Sequence, residues 1–321
     1  MKIFYSPYFL KPKHSLNSLS QKNQREGALI KVEEGNYSGF ADLHPLREFG
    51  DAPISDHLES LKTSSPSPLV ARSLFLAQRD LEARKAGVSL LGGAKLKNNF
   101  SIPDIQSFDL QDLGELQEFK TLKIKIGRDW KKEAEILNSL QRDSFKLRLD
   151  ANASFTEKSF NEFLDLLDNR VIESLEYIED PTPYDLETWK SLQKRVPIAI
   201  DFEYSKAPES LLDAGFSAVV LKSSRQNVED IVDKSVRAGL KITFTSSMDH
   251  LVGIAHGVSI AQHFKLKFPE SILDSGFLTH DLFEEDMFSL KVSIKEATLH
   301  FSEESGIGFT AELNSCQWVG L

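Results

Sequence analysis

The chain reads as an α/β protein: a (β/α)8-type barrel with an α+β capping domain built from the N-terminal region and the C-terminal tail. The first observation is a series of short apolar runs, each closing on an ionisable residue. They end at Lys125 (in Leu-Lys-Ile-Lys-Ile-Gly), Asp150 (Leu-Arg-Leu-Asp), Glu179 (Tyr-Ile-Glu), Asp201 (Ile-Ala-Ile-Asp) and Lys222 (Val-Val-Leu-Lys). The intervals are 25 (125 to 150), 29 (150 to 179), 22 (179 to 201) and 21 (201 to 222). A barrel repeat is about 30 residues, and barrel enzymes carry their chemistry at the C-terminal strand ends. The second observation is strand–helix alternation from about residue 98, which implies parallel strands with crossover helices. The third is a different texture before it.

Residues 1–97 open with strand-like alternation in Met1–Tyr8, then a polar stretch without period, Lys11–Glu26. Strands are expected over Ala28–Glu33 and Tyr37–Leu43, and a helix over Pro68–Lys85 that Gly87 would cap. Strands followed by helices suggest an α+β unit. From 98 to 290 the expected strands are Phe100–Ile102, Leu122–Ile126, Lys146–Asp150, Leu175–Glu179, Ile198–Phe202, Ala218–Lys222 and Ile242–Ser246, with an eighth near Ser271–Leu278. Between them fall helices Asp129–Leu140, Thr156–Leu167, Tyr184–Lys194, Val228–Ala238 and Leu251–Phe264. Eight strands favour closure over an open sheet, and no G-x-G-x-x-G marks a dinucleotide site. Leu290–His300 and Gly306–Leu313 read as strands of a tail (291–321) that returns to the N-terminal domain.

Composition fits a soluble enzyme. The 321 residues are 40% hydrophobic, enough for a large core. A net charge of −10 disfavours non-specific binding to nucleic acid or anionic membrane. The single Cys316 excludes an intrachain disulfide framework, so a reducing compartment, the cytoplasm, is expected. The apolar start is too short and broken for a signal peptide, and no run approaches a membrane span. The sequence specifies no oligomeric state.

Lys123 and Lys125 lie two apart on a strand and share a face, while Leu122, Ile124 and Ile126 take the other. An isolated Lys-x-Lys usually decorates an edge strand. Here the apolar alternate face makes the strand interior. Asp150, Glu179 and Asp201 end successive strands, and all-oxygen ligation suits Mg²⁺, with Mn²⁺ a possible substitute. Arg148 and Asn152 share the face of Asp150 and could orient a ligand or contact substrate, although Arg148 could equally pair with an acid. Lys222 would face the Lys123/Lys125 pair across the barrel. Lysines flanking a cation suit proton abstraction beside a carboxylate, if burial or nearby cations hold the base neutral. His44, His250, His256 and His280 fit no metal spacing and are expected to be structural.

The ordered Lys-x-Lys, three carboxylates and second lysine resemble the enolase superfamily, muconate-cycloisomerase-like branch, over nearly the whole chain. Gly-Phe-Ala-Asp-Leu-His-Pro-Leu (39–46), Leu-Arg-Leu-Asp-Ala-Asn (147–152), Thr-Ser-Ser-Met-Asp-His-Leu-Val-Gly (245–253) and Thr-His-Asp-Leu-Phe (279–283) are similar to segments of its o-succinylbenzoate synthase family. That resemblance implies a Mg²⁺-dependent syn-dehydration of a small carboxylate, 2-succinyl-6-hydroxy-2,4-cyclohexadiene-1-carboxylate, in menaquinone biosynthesis. It implies Lys125 as base and proton donor, Lys222 as opposing charge, and Lys123 as tuner of Lys125. Thr245, Ser246, Ser247 and Asp281 would help bind substrate, and Lys11–Glu26 would form a closing loop.

The chain departs from the family where Glu179-Asp180-Pro181 replaces Glu-Glu-Pro or Glu-Gln-Pro, and where Phe202 follows Asp201 in place of an acid. It lacks the Asp-x-Asp of dipeptide epimerases near strand eight. An N-acylamino acid racemase or epimerase would use the same lysines, one per face. A barrel without activity, acting as a binding protein, is opposed by retention of all six site residues.

Overall fold

The computed structural model describes residues 2–13, 24–63, 65–109, 116–140 and 145–321. The N-terminal segment forms β1 (Lys2–Leu10), β2 (Arg25–Glu34) and β3 (Tyr37–Leu43), an antiparallel meander. Gly35, at φ +60°, supplies the left-handed residue of the β2–β3 turn. Helix α1 (Ile54–Ser60) follows, then α2 (Pro68–Lys85), which starts where Ser67 accepts the Val70 N–H at 3.3 Å and Pro68 fills the first turn. Gly87, at φ +65°, turns the chain away. α2 packs on β3 so closely that Gly39 is needed: a β-carbon there would meet the Ala77 carbonyl and the Leu81 amide.

Seven parallel strands make the second sheet: β4 (Phe100–Ile102), β5 (Thr121–Lys125), β6 (Lys146–Asp150), β7 (Leu175–Glu179), β8 (Ile198–Ile200), β9 (Ala218–Leu221) and β10 (Lys241–Phe244), neighbours in chain order. Between them lie α3 (Trp130–Ser139), α4 (Glu157–Leu166), α5 (Asn169–Ser174), α6 (Leu186–Gln193) and α7 (Glu229–Arg237), with α8 (Leu251–Lys267) after β10. Outward residues Ile124, Leu149, Ile178, Ile200, Val219 and Phe244 are buried against the helices. Each such side chain is worth about 1.5–3 kcal/mol. Inward, Tyr177, Ala199, Ala218 and Val220 plug the barrel floor.

The expected eighth strand closes the barrel without forming a continuous run. Residues 271–276 divide their hydrogen bonds between two neighbours. Leu273 and Gly276 N–H groups donate to Ile242 and Phe244 carbonyls at 2.9 and 2.8 Å, and Ser275 N–H donates to Lys97 O at 2.7 Å. With bonds shared out singly, no ladder builds.

The tail differs from expectation in one segment. β11 (Ser293–Lys295) and β12 (Thr298–His300) form a hairpin, but Gly306–Leu313 is not a strand. Gly306, Gly308 and Phe309 take positive φ, and α9 (Thr310–Ser315) begins there, its first N–H capped by Glu304 at 2.9 Å. The tail then pairs β13 (Val319–Gly320) with β1, while Ile307 N–H reaches buried Asp80 of α2 at 2.7 Å. Of the polar stretch Lys11–Glu26, residues 14–23 lie outside the described residues. Its ends dock: Lys13 N–H donates to Leu282 O at 2.9 Å, and Arg25 and Glu26 open β2. No helix among the described residues is long and apolar enough to cross a membrane.

Cap and barrel meet at α8. His256 is fully buried and its Nε2–H donates to Phe40 O of β3 at 2.8 Å. Burial pushes its imidazole down to about 3.

Two predictions follow from this packing. Gly39→Ala should lower stability by about 1–3 kcal/mol or more, as overpacking against backbone does, whereas Gly92→Ala, with open space around it, should cost little. Urea midpoints of both variants decide this. His256 binds its proton far more readily unfolded than folded. Its stabilisation is therefore complete above the unfolded value of 6.5 and is lost as pH falls toward about 3. Between those limits wild type should lose about 1.4 kcal/mol per pH unit more than His256→Gln. Parallel pH profiles of unfolding free energy would contradict this.

Candidate active site

The barrel register builds the site in layers. Lys125 pairs with Asp150 and Asp150 with Glu179, so three ionisable side chains stand abreast at the ends of β5, β6 and β7. One layer below, Lys123, Arg148 and Tyr177 are likewise abreast. Asp201 lies just beyond β8 and Lys222 just beyond β9.

Lys123 reaches up from its layer. Its Nζ donates to both Glu179 carboxylate oxygens at 2.8 and 2.9 Å and pairs with Asp150 Oδ2 at 3.0 Å. Lys222 pairs with both oxygens of Asp201. The expected confrontation of Lys222 with the Lys123/Lys125 pair thus runs through the carboxylates between them. Among the described residues, no three His, Cys, Asp or Glu side chains converge on one ion-sized point as they stand.

The electrostatics show how crowded the acids are. Burial foremost, then Asp150, Asp201 and Asp180, push Glu179 up to about 8 against the pull of Lys123. Burial also opposes ionisation of Asp150, but Lys123, Lys125 and Lys222 outweigh it and hold that carboxyl below its usual range. Lys123 is held well above the usual lysine value: burial pulls it down, and Asp150 and Glu179 overcome that. Lys125 moves the other way. Burial leads, Lys123 and Arg25 add to it, and Asp150 and Glu179 do not compensate. The two neighbouring lysines are therefore split, one fixed as a cation and one drawn toward neutrality.

The remaining expected residues are placed differently from one another. Arg148 is fully buried below the carboxylate layer, its Nε donating to Glu176 at 2.6 Å, its Nη1 to Asn99 at 3.1 Å, and its guanidinium 5.0 Å from the Tyr177 ring. It supports the barrel interior, the structural alternative, because its Nε and Nη1 donate to Glu176 and Asn99 there. Asn152, at φ +47°, is exposed and its N–H donates to Asp150 Oδ1 at 3.3 Å. Thr245 Oγ1 donates to Gly276 O at 2.9 Å, and Ser246 Oγ lies 2.5 Å from Thr279 Oγ1. The Ser247 hydroxyl is buried and has no hydrogen-bond partner among the described residues. Asp281 is exposed in a turn beside His280, 3.4 Å away.

Sequence reasoning missed Arg25. This buried arginine of β2 donates to Ser247 O at 3.3 Å, pairs with Glu48, and is close enough to lower Lys125. It also missed the buried seam between cap and barrel. Tyr8 O–H donates to Asp42 at 2.6 Å and meets His44 Nδ1 at 2.8 Å, and Asp42 accepts the His250 N–H at 3.1 Å. The Asp-x-His of Gly-Phe-Ala-Asp-Leu-His was the one visible signal. His44 and His250 are buried in this seam, and His256 is buried against Phe40 O of β3.

Comparison with known proteins identifies the family. Residues 3–83 match the family model of the o-succinylbenzoate synthase N-terminal domain, and 109–314 that of the enolase C-terminal domain-like family. The chain is 37% identical to an o-succinylbenzoate synthase of Bdellovibrio bacteriovorus, across 100% of this chain and 99% of that one. Among solved structures, the dipeptide epimerase of Enterococcus faecalis V583, complexed with Mg and L-Leu-L-Tyr, superposes with a TM-score of 0.79 at 18% identity, covering 96% of this chain and 98% of that one. The muconate lactonizing enzyme of Pseudomonas fluorescens gives 0.76 at 15%, covering 95% of each. These two share the fold. The full-length relative and the matched domains carry more: the chain belongs to the o-succinylbenzoate synthase family of the enolase superfamily.

Proposed function

We propose that the strand ends of β5–β9 run the family's dehydration, turning 2-succinyl-6-hydroxy-2,4-cyclohexadiene-1-carboxylate into o-succinylbenzoate and water. The observation that carries the residue assignment is the level row Lys125–Asp150–Glu179, with Lys123 below and the Asp201–Lys222 pair beside it. Asp150, Glu179 and Asp201 would hold Mg²⁺, or Mn²⁺ in its place. The donor set fits: three oxygen ligands from adjacent strands, one pushed up to about 8 by burial and its acidic neighbours. When bound, the cation supplies positive charge to the substrate carboxylate and so acidifies the adjacent C–H.

Lys125 takes the proton α to the ring carboxylate. The C–H electron pair becomes the new ring double bond as the C–O bond breaks, and the departing hydroxide takes the proton from Lys125 on the same face, leaving water. Lys222 offers charge from the other side to the electron density building on the carboxylate. Lys123 stays cationic, braces Asp150 and Glu179, and helps keep Lys125 neutral.

Two outcomes test this. Chelation should abolish turnover, and Asp150→Asn should lose both Mn²⁺ binding and activity; full turnover of a metal-free preparation would sink the assignment. Lys125→Arg should retain almost nothing, a fall on the order of 10²–10⁴ for loss of the base. Lys222→Arg, which keeps its charge but cannot serve as a base, should dehydrate faster than Lys222→Ala. An enzyme that racemises N-succinyl amino acids faster than it dehydrates, with arginine at 222 as inactive as alanine, is instead a two-base racemase.

A further inference from the structure

The residue after Glu179 is bonded to both neighbouring strand ends. Asp180 has φ +42°, a left-handed conformation that aspartate tolerates better than most residues and that turns its side chain sideways off β7. Its N–H donates to Ala199 O of β8 at 3.0 Å, and its carbonyl accepts the Ala153 N–H, beyond β6, at 2.7 Å. Its carboxylate accepts two backbone N–H groups at 3.0 Å each: Asp201 through Oδ1 and Phe202 through Oδ2. Asp150, Glu179 and Asp201 end or follow the three strands that these bonds tie together. With both oxygens bonded to backbone and the side chain buried, Asp180 is a brace for the carboxylates rather than a fourth ligand.

Glu203 adds a second tie between the same loops. Its Oε2 accepts the Tyr184 N–H at 2.6 Å, and Lys206 neutralises it. Tyr184 in turn donates its hydroxyl to Ala214 O at 2.9 Å, which anchors the loop after β7 to the segment before β9.

We infer that Asp180 is a positioning residue that sets the spacing of Asp150, Glu179 and Asp201 by lacing the ends of β6, β7 and β8. The inference rests on those three acids holding the cation. In this chain the Asp180 carboxylate suits the position because it presents two acceptors to two adjacent N–H donors. Asparagine keeps the shape but turns an NH₂ against one of them, leaving a buried donor unmatched.

The test uses the full chain and Mn²⁺ alone as probe, read by electron paramagnetic resonance. Asp180→Asn should bind Mn²⁺ about 10–100-fold more weakly, the usual effect of losing a residue that orients a metal ligand. Turnover should recover largely at saturating metal, with KM for substrate little changed. Hydrogen exchange at the 201 and 202 amides should quicken more than at amides elsewhere in the parallel sheet, which separates this local effect from a general loss of stability. Wild-type Mn²⁺ affinity in folded Asp180→Asn, or unchanged exchange at those amides, would overturn the role. Failure of wild type itself to bind Mn²⁺ would overturn the metal assignment beneath it, and this inference with it.

Discussion

Everything at this site follows from placing three carboxylates at the ends of adjacent parallel strands. Parallel register puts Lys125, Asp150 and Glu179 at one level, and the next strand brings Asp201 close behind. Burial removes the water that would screen them, so they compete for the nearby cations: Glu179 is pushed up to about 8, while Lys123, Lys125 and Lys222 hold Asp150 below its usual range. Such a set persists only if cations are supplied. The chain supplies Lys123 and Lys222 directly, and the divalent ion proposed above would complete the balance. The two lysines feel the same crowding in opposite ways: the acids hold Lys123 well above the usual lysine value, while burial, Lys123 and Arg25 pull Lys125 below it.

The cap is coupled to this arrangement through polar contacts that are costly to leave unmet. Arg25 of β2 reaches the Ser247 carbonyl, and Arg72 of α2 donates twice to the Ser223 carbonyl, at 3.0 and 2.8 Å, one residue beyond Lys222. Arg225 ties the same turn back to His44 O at 2.8 Å and to Asp51 at 2.5 Å. These arginines make their cross-seam hydrogen bonds only when cap and barrel are docked, so the seam is specific as well as adhesive. The cap thereby holds the loop that carries Lys222.

This division explains what could be read in the sequence. The strand ends were legible because a parallel barrel repeats its pattern along the chain: an apolar run, a charge, then a helix. Lys123, Lys125, Asp150, Glu179, Asp201 and Lys222 all stood out that way, and α2 was visible from its periodicity over Pro68–Lys85 and its Gly87 stop. Arg25 was not legible, because its partner Ser247 lies 222 residues away and the polar context around it reads as loop. Arg148 stood on the right face, but a periodicity of two cannot tell the top of a barrel from its floor. Gly306–Leu313 reads as strand by hydropathy until the positive φ values at Gly306, Gly308 and Phe309 are known.

Backbone strain completes the account. Asn152, Ala153, Asp180 and Met248 are non-glycine residues with positive φ, and all four follow the ends of β6, β7 and β10. Such conformations cost of order 1–3 kcal/mol each and survive only where the surroundings over-determine them. Here the surroundings do so with hydrogen bonds: Ala153 N–H to Asp180 O, Asn152 N–H to Asp150, and Met248 N–H to Ser246 Oγ at 3.1 Å. Mutually repelling carboxylates would otherwise relax by moving apart. Loops locked in this way deny them that relaxation, so the negative charge stays concentrated at the strand ends, where the proposed cation would answer it.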